Sequence, residues 1–155
     1  MTSVPGSSPQ NPLDNSTEWV AKHISAYVET DGREGSVLRG APVLLLTTNG
    51  AKSGVWRRTA LIFGEHSGSY LIVASMGGAP RHPSWYVNLQ ANPEVFLQVY
   101  GRKFHAAART ATPEEKPELW AEMVAIFPQY AEYQTKTERD IPVVILEPIA
   151  GEDAR

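Results

Sequence analysis

Hydrophobic and polar positions follow a helical spacing between residues 15 and 30. Asn15 precedes Glu18 by three residues, which is the pattern of a capping box, and Asp31-Gly32 ends the periodic segment. The positions that recur at this spacing are Trp19, His23, Ile24, Tyr27 and Val28. The pattern predicts an amphipathic helix over residues 15–30, with an aromatic face that packs on the core, covers a pocket or touches a membrane surface.

From residue 42 the pattern changes to short apolar runs separated by turn residues, which is typical of β-strands joined by hairpins. About six such strands with short connections predict a closed or partly closed β-barrel, because closure removes exposed edges. Alternating βα units are absent, so a Rossmann sheet is not expected. The runs are PVLLLTT, RRTALIFGEH, SYLIVAS, EVFLQVY, KFHAAARTA and IPVVILEP.

Helical spacing returns after residue 111. Thr112 as N-cap, Pro113 at the first helical position and Glu115 at the third predict a helix start. Pro128 interrupts this helix, and residues 129–136 predict a further helical piece. In this prediction the helix that starts at Thr112 buries Leu119, Trp120, Met123, Ile126 and Phe127.

Composition narrows the possible functions. The 155 residues suit one domain over residues 15–155, preceded by a mobile tail at 1–14 that is rich in Ser, Pro, Asn and Gly. The tail lacks the features of a signal peptide, and no apolar run is long enough to span a bilayer. A net charge of -3 does not suggest a nucleic-acid binder, and the absence of Cys excludes disulfides and thiol chemistry. A cytoplasmic protein is expected.

The stretch TTNGAKSGVWRR, residues 47–58, is the first candidate site. It is not a phosphate loop of the Walker type, because Ala51 stands where that motif has Gly and no helix follows. Two interpretations stay open: a solvated hairpin tip, or an anion site in which backbone N–H groups and Lys52 bind the ligand with help from Arg57 or Arg58. In a strand the two arginines face opposite sides.

Two further clusters carry polar and aromatic groups. In VASMGGAPRHPSWYVNL, Ser75 ends a strand, and Gly77-Gly78 allows close backbone approach to a flat ring. The aromatic pair that follows, Trp85 and Tyr86, either stacks on that ring or fills the barrel mouth. In FPQYAEY, Tyr130 and Tyr133 share a helical face that is either a core stripe or a pocket wall with phenol donors. The four His residues have no metal-ligand spacing, so no metal is expected.

Taken together and in this order, the three motifs resemble the deazaflavin-dependent nitroreductase and quinone reductase family of actinobacteria, over about residues 40–148. The resemblance implies a mainly β (α+β) split β-barrel with flanking helices, similar to FMN-binding pyridoxamine-phosphate oxidases. It also implies binding of coenzyme F420, an 8-hydroxy-5-deazaflavin, and hydride transfer to a quinone, an enone or a nitro compound.

The resemblance further implies a set of site residues. Tyr130, Ser75 and Tyr133 would be catalytic, with Ser75 and Tyr130 orienting the acceptor's oxygen. The cofactor would be bound by Ala51, Lys52, Ser53, Arg57, Arg58, Thr59, Ala60, Leu61, Ile62, Val73, Ala74, Ser75, Met76, Ser84, Trp85, Tyr86, Val87, Asn88 and Tyr130.

Three departures from the family pattern bear on the acceptor. Met76 stands where some members have Lys, Phe127 where the nitro-activating member has Tyr, and Ala51 where Arg is common. They affect nitroimidazole activation more than cofactor binding. The alternatives are an FMN-dependent oxidoreductase of the same barrel type and a deazaflavin-binding carrier without turnover. A homodimer and peripheral membrane contact are further expectations.

Overall fold

One curled β-sheet with four helices forms the structure, a computed structural model that describes residues 4–154. A 3-10 turn at Met76–Gly78 follows the sixth strand. The elements are β1 (Leu13–Asp14), α1 (Glu18–Thr30), β2 (Val37–Leu38), β3 (Ala41–Asn49), β4 (Trp56–Ile62), β5 (Gly64–His66), β6 (Ser69–Val73), α2 (Ser84–Ala91), β7 (Glu94–Val99), β8 (Arg102–Thr110), α3 (Lys116–Ile126), α4 (Gln129–Thr135) and β9 (Val143–Ala154).

The sheet closes through the chain itself. Its strand order is β1-β4-β3-β7-β8-β9-β6-β5, with β2 paired to β3, and all pairs except β1 with β4 are antiparallel. β4 and β5 lie near opposite ends of this order, yet only Phe63 separates them along the chain. One bent segment therefore borders both β3 and β6, which confirms the predicted split barrel.

Strand β3 is covered on both faces, which explains its unbroken apolar run. Val43 and Leu45 belong to a core beneath α1, α3 and α4, while Leu44 and Leu46 belong to a second core with aromatic residues of β6 and β8. A strand that faced water on one side would alternate apolar and polar residues. The run PVLLL therefore marks a central strand.

The first helix begins at Glu18, three residues later than predicted. Its N-cap is Thr17, and Asn15 donates from Nδ2 to Thr59 Oγ1 at 3.2 Å, so the predicted capping box is not formed. Of the predicted aromatic face, Tyr27 packs in the core, whereas Trp19 is 59% exposed. The buried residues of α1 are Val20, Ile24 and Tyr27.

Part of the predicted tail pairs with the sheet. Leu13–Asp14 lie parallel to Arg57 and Arg58 of β4, and the Trp56 N–H donates to the Gly6 carbonyl at 2.9 Å. A strand edge offers unpaired backbone groups, and this segment satisfies those of β4. Residues 1–3 lie outside the described residues, and the division into a tail and one domain stays a prediction.

The start of the third helix follows its predicted chemistry. The Thr112 N–H donates to Glu115 Oε1 at 2.9 Å and the Glu115 N–H donates to Thr112 Oγ1 at 3.2 Å, which is a reciprocal capping box. The α-helix proper begins at Lys116. Within residues 4–154, no helix is both long and apolar enough to cross a bilayer.

Candidate functional site

Three adjoining cavities lie where β4, α2, α4 and the turn after β3 converge. The tyrosine cavity, about 430 Å³, is lined by Tyr130 and Tyr133 together with β4. The turn cavity, about 650 Å³, is lined by the turn at residues 50–53 and by the first half of α2. The edge cavity, about 270 Å³, lies beside Asp14 and Arg57. Ser84, the first residue of α2, lines all three and marks their junction.

Tyr130 contributes a buried phenol to the tyrosine cavity. It is 5% exposed, and its ring lies 5.0 Å from that of Phe127 and 6.4 Å from that of Tyr133. Burial is the main reason why the pKa of Tyr130 is raised, and the neighbouring Tyr133 adds to it. The phenol therefore stays protonated at neutral pH. Its hydroxyl has no hydrogen-bond partner in the described part of the chain.

Ser75, a second buried residue, also lines this cavity and carries a hydroxyl. The residue is 8% exposed and directly follows the end region of β6, where the chain leaves the sheet. Its carbonyl accepts a hydrogen bond from Arg139 Nη2 at 2.8 Å. Its hydroxyl, like that of Tyr130, is without a partner among residues 4–154. Two donors with unmet hydrogen-bonding capacity thus line one cavity.

The loop after Ser75 approaches α4 closely at Gly78. Gly78 has φ +85°, and a Cβ added there would lie 2.6 Å from the Tyr133 carbonyl oxygen. Only glycine accepts both this conformation and this distance. The close approach brings the loop and the two tyrosines to the same cavity.

Positive charge gathers around the turn cavity. Lys52, Arg57 and Arg81 line it, and none of the three side chains has a carboxylate partner within the residues that the structure describes. The backbone contributes less than the predicted nest of N–H groups. The Ala51 N–H donates to Asn88 Oδ1 at 3.0 Å, and the Val55 N–H donates to Ser53 Oγ at 3.1 Å. An anion here would be bound chiefly by side-chain charge.

Arg58 differs from Arg57 in its partner. Its Nε lies 2.6 Å and its Nη2 3.2 Å from the carboxylate oxygens of Asp14, in a bidentate ion pair. Arg58 still lines the edge cavity, but Asp14 offsets its charge. Sequence reasoning missed Asp14 because it assigned that residue to a mobile tail.

Most of the predicted site residues line these cavities. Ala74, 0% exposed, does not line them, and neither does Tyr86, 3% exposed, whose hydroxyl shares a 2.7 Å hydrogen bond with Thr110. The tyrosine cavity takes Thr59, Ala60, Leu61, Ile62, Val73, Ser75, Met76, Ser84, Trp85, Tyr130 and Tyr133. The turn cavity takes Ala51, Lys52, Ser53, Arg57, Val87 and Asn88 as well as Met76 and Ser84.

Several lining residues carried no sequence signal. Leu38 and Arg39 line the tyrosine cavity, and Arg81 and His82 line the turn cavity. Trp19 also lines the tyrosine cavity, which agrees with one of the three roles left open for the aromatic face of α1, that of covering a pocket.

A cluster of charged groups lies away from the three cavities. His66 of β5 lies with Glu118 and Glu122 of α3, and their nearest ligand atoms fall within 4.8 Å of one another. His66 Nδ1 is 2.8 Å from Glu122 Oε2, which is the geometry of an ion pair when the imidazole is protonated. Sequence spacing did not reveal this cluster because its members belong to different elements.

Comparison with known proteins places the chain among reductases. The family model described as F420H(2)-dependent quinone reductase matches residues 19–148. A Mycobacterium tuberculosis protein named F420H(2)-dependent quinone reductase is 39% identical over 145 residues, which cover 84% of this chain and 96% of that protein. A Mycobacterium bovis protein with the putative form of that name has the same identity and coverage.

Two solved structures share the fold at higher identity. One, described as an F420-H2 dependent reductase, is 48% identical, with a TM-score of 0.64 over 72% of this chain and 97% of that chain. The other, described as a domain-swapped dimer, is 43% identical, with a TM-score of 0.66 over 86% of this chain and 100% of that chain.

Proposed function

Because this chain belongs to the F420H(2)-dependent quinone reductase family, we propose that it passes hydride from reduced coenzyme F420 to a quinone-like acceptor in the tyrosine cavity. The chain is an oxidoreductase and its cofactor is coenzyme F420. The identity of the acceptor and the roles of individual residues are the proposal.

One observation carries the proposal: Ser75 and Tyr130, both largely buried residues, line the same cavity, and their hydroxyls lack hydrogen-bond partners in the described chain. Both hydroxyls therefore have donors available to a ligand in the cavity. A carbonyl or quinone oxygen, which accepts two hydrogen bonds, suits such a pair of donors. The tyrosine cavity is therefore where we place the acceptor's oxygen.

The residues that line the three cavities fit a cofactor that has a flat ring at one end and anionic groups at the other. The three cavities join at Ser84, and the unpaired cations lie around the turn cavity. We assign the phosphodiester and the glutamates to Lys52, Arg57 and Arg81. Val73, Ser75 and residues 59–62 of β4, which line the tyrosine cavity, would hold the deazaflavin ring.

When bound and reduced, the cofactor supplies two electrons as hydride. The chain's own residues supply position and polarity. Tyr130 and Ser75 donate hydrogen bonds to the acceptor's oxygen, which stabilises the negative charge that develops there. Tyr133 offers a second phenol at the cavity wall, and Phe127 with the neighbouring rings excludes water from the reacting centre.

Quinones rank before nitro compounds and enones in this proposal. The sequence has Phe127 where the nitro-activating pattern has Tyr, so one phenol donor is missing from the wall. Phe127 is 5% exposed and lines the tyrosine cavity, so the hydroxyl of a tyrosine at this position would lie in the cavity or at its wall. The two oxygens of a nitro group share one nitrogen and meet the cavity wall together, whereas the two carbonyl oxygens of a quinone lie at separate ring positions, so only one of them needs to meet the donors.

Fluorescence titration of the purified protein with coenzyme F420 and separately with FMN tests the cofactor, and absorbance of the deazaflavin then follows turnover with menadione, a cyclic enone and a nitroimidazole. We expect binding of the deazaflavin in preference to FMN, and fastest turnover with the quinone. Binding without oxidation of the reduced cofactor by any quinone would leave the carrier alternative and end the proposed activity.

Two expectations about the surroundings are part of the proposal. We place the protein in the cytoplasm, with peripheral contact to a membrane through the exposed Trp19. We also propose a homodimer, for which the support is the solved relative described as a domain-swapped dimer.

A further inference from the structure

Arg139, in the segment between α4 and β9, binds the loop that follows β6. Its Nη1 donates to the Ala74 carbonyl at 3.1 Å, its Nη2 donates to the Ser75 carbonyl at 2.8 Å, and its Nε donates to the Ala79 carbonyl at 2.8 Å. Nη1 also lies 3.1 Å from His82 Nδ1. Among residues 4–154 the guanidinium has no carboxylate partner, so its charge is directed at this loop.

The loop between these carbonyls has an unfavourable backbone. Met76, Gly77 and Gly78 have φ angles of 47°, 64° and 85°, three successive residues with positive φ. For Met76 this conformation costs about 1 kcal/mol or more, because its Cβ crowds the backbone. Arg139 bonds the residue before the run and the residue after it, and so fixes both of its ends.

Arg139 also connects this loop to α4, the helix that carries Tyr130 and Tyr133. Gln134 of α4 donates from Nε2 to the Arg139 carbonyl at 2.8 Å, and Gln134 Oε1 accepts from the Ile141 N–H at 3.0 Å. The backbone of Arg139 is thus fixed to the helix that carries Tyr130 and Tyr133. Its side chain fixes the loop that carries Ser75 and Met76, on the other side of the tyrosine cavity.

His82 is the fourth partner and lines the turn cavity. A guanidinium has only donors, so Nδ1 of His82 must accept from Arg139 and the ring proton must lie on Nε2. Burial, with the charge of Arg139 as a smaller cause, lowers the pKa of His82, which favours this neutral form. The imidazole therefore has one N–H left to donate.

We propose that Arg139 is a positioning residue for the cofactor, which holds residues 75–79 in the shape that binds the deazaflavin ring and fixes His82 as a hydrogen-bond donor to the turn cavity. This inference rests on the proposed function, since it presumes that the ring lies beside Ser75. It concerns the ring and not the glutamate tail, because the three carbonyls belong to the loop beside the tyrosine cavity.

The test compares Arg139→Gln and Arg139→Lys with the control Arg33→Gln. Arg33 also donates from Nε to a backbone carbonyl, that of Thr30 at 3.1 Å, but it lies away from the three cavities. Each protein is titrated by fluorescence with coenzyme F420 and with the ring compound that lacks the phosphate and glutamates. Amide hydrogen exchange of residues 75–79 is measured on the same proteins without cofactor.

We expect Arg139→Gln to weaken the binding of both ligands by the same factor, about tenfold in Kd, because the lost hydrogen bonds order the ring-binding loop. Exchange at residues 75–79 should be faster than in the wild type, and the control should change neither. Arg139→Lys keeps the charge but not the planar fork, so it should fall between wild type and Arg139→Gln. In a third variant, Arg139→Ala, added guanidinium ion should restore part of the lost affinity.

Unchanged affinity in Arg139→Gln, with faster exchange in the loop, would overturn the proposal, since the loop's shape would then not matter for the ring. If the unfolded fraction of Arg139→Gln, measured by circular dichroism, accounted for the whole loss of affinity, Arg139 would only stabilise the fold. That outcome would also overturn the proposal. A wild-type protein that binds the cofactor but reduces no quinone would end the proposed activity alone and leave the Arg139 test valid.

Discussion

Asn88 of α2 accepts a hydrogen bond from the Ala51 N–H at 3.0 Å, which fixes the turn between β3 and β4 against the helix. The same side chain donates from Nδ2 to Thr48 Oγ1 at 3.3 Å, so it also bonds the strand from which the turn departs. Asn88 therefore helps to fix the position of Lys52 relative to the junction at Ser84.

Asn88→Ala should weaken binding of coenzyme F420 by about 1 kcal/mol, or about fivefold in Kd, because the turn loses its attachment to α2. Fluorescence titration measures this change. Gln90→Ala is the matched control, since Gln90 lies on the same helix but bonds Tyr86 and not the turn. Equal losses in both variants would contradict the role of Asn88.

Lys52→Ala should weaken cofactor binding more for long glutamate tails than for short ones, because Lys52 has no carboxylate partner within the described chain. An exposed ion pair contributes about 0.2–1 kcal/mol, so the loss in affinity is about 1.4- to fivefold at low salt and smaller at high salt. Lys22→Ala, which removes an exposed lysine paired with Glu18 on α1, is the control. Equal loss for every tail length would show that the turn does not bind the tail.

Tyr130→Phe should lower kcat about 100-fold while Kd for the cofactor stays the same, because in the proposed reaction the phenol donates a hydrogen bond to the acceptor's oxygen. The free energy of unfolding should change by less than about 1 kcal/mol, since the lost hydroxyl has no hydrogen-bond partner in residues 4–154. Stopped-flow absorbance and thermal unfolding measure the two effects.

Tyr27→Phe provides the control for that prediction. The Tyr27 hydroxyl is also buried, but it accepts a hydrogen bond from the Tyr100 N–H at 2.6 Å. Its loss should destabilise the fold by about 1–3 kcal/mol and leave kcat unchanged. A Tyr130→Phe protein with wild-type kcat would remove the phenol from the proposed reaction.

Gly78→Ala should destabilise the protein far more than Gly77→Ala. Both positions have positive φ, so both variants carry a backbone cost of about 1–2 kcal/mol. The Cβ at 78 would in addition lie 2.6 Å from the Tyr133 carbonyl, whereas nothing lies within 4 Å of one at 77. Overpacking adds about 1–3 kcal/mol, which denaturant unfolding resolves. Equal destabilisation would mean that the loop does not press on α4.

Glu115 predicts a pH dependence of stability. The hydrogen bond from Arg109, with the Thr112 N–H next, lowers the pKa of Glu115 from 4.5 to about 2. A carboxyl whose pKa is lower in the folded state stabilises the fold above its unfolded pKa, and this stabilisation disappears as the pH falls through the folded pKa. The melting temperatures of wild type and Glu115→Gln should therefore differ above pH 4.5 and converge towards pH 2. A constant difference over that range would contradict the ion pair.

Local patterns predicted much of the fold because their causes are local. The run PVLLL and the box of Thr112 with Glu115 indicated a buried strand and a helix start from residues a few positions apart. The resemblance carried by three motifs supplied Tyr130 and Ser75 as site residues, and the structure brings both to one cavity. For Trp19 the helical spacing left open whether the side chain packs on the core or covers a pocket, because spacing does not say which neighbour a face will meet; in the structure Trp19 lines the tyrosine cavity.

The sequence by itself determined the main strands, the start of α3 and the clusters that carry chemistry, since these depend on periodicity and on neighbouring residues. The tertiary structure alone decided which distant groups meet: Asp14 with Arg58, Asn88 with Ala51, and Arg139 with the Ser75 carbonyl. Those contacts join segments that are far apart in the chain, and they form only when the closed sheet and its helices pack. No local pattern encodes a partner that only the closure of the barrel brings within hydrogen-bonding distance.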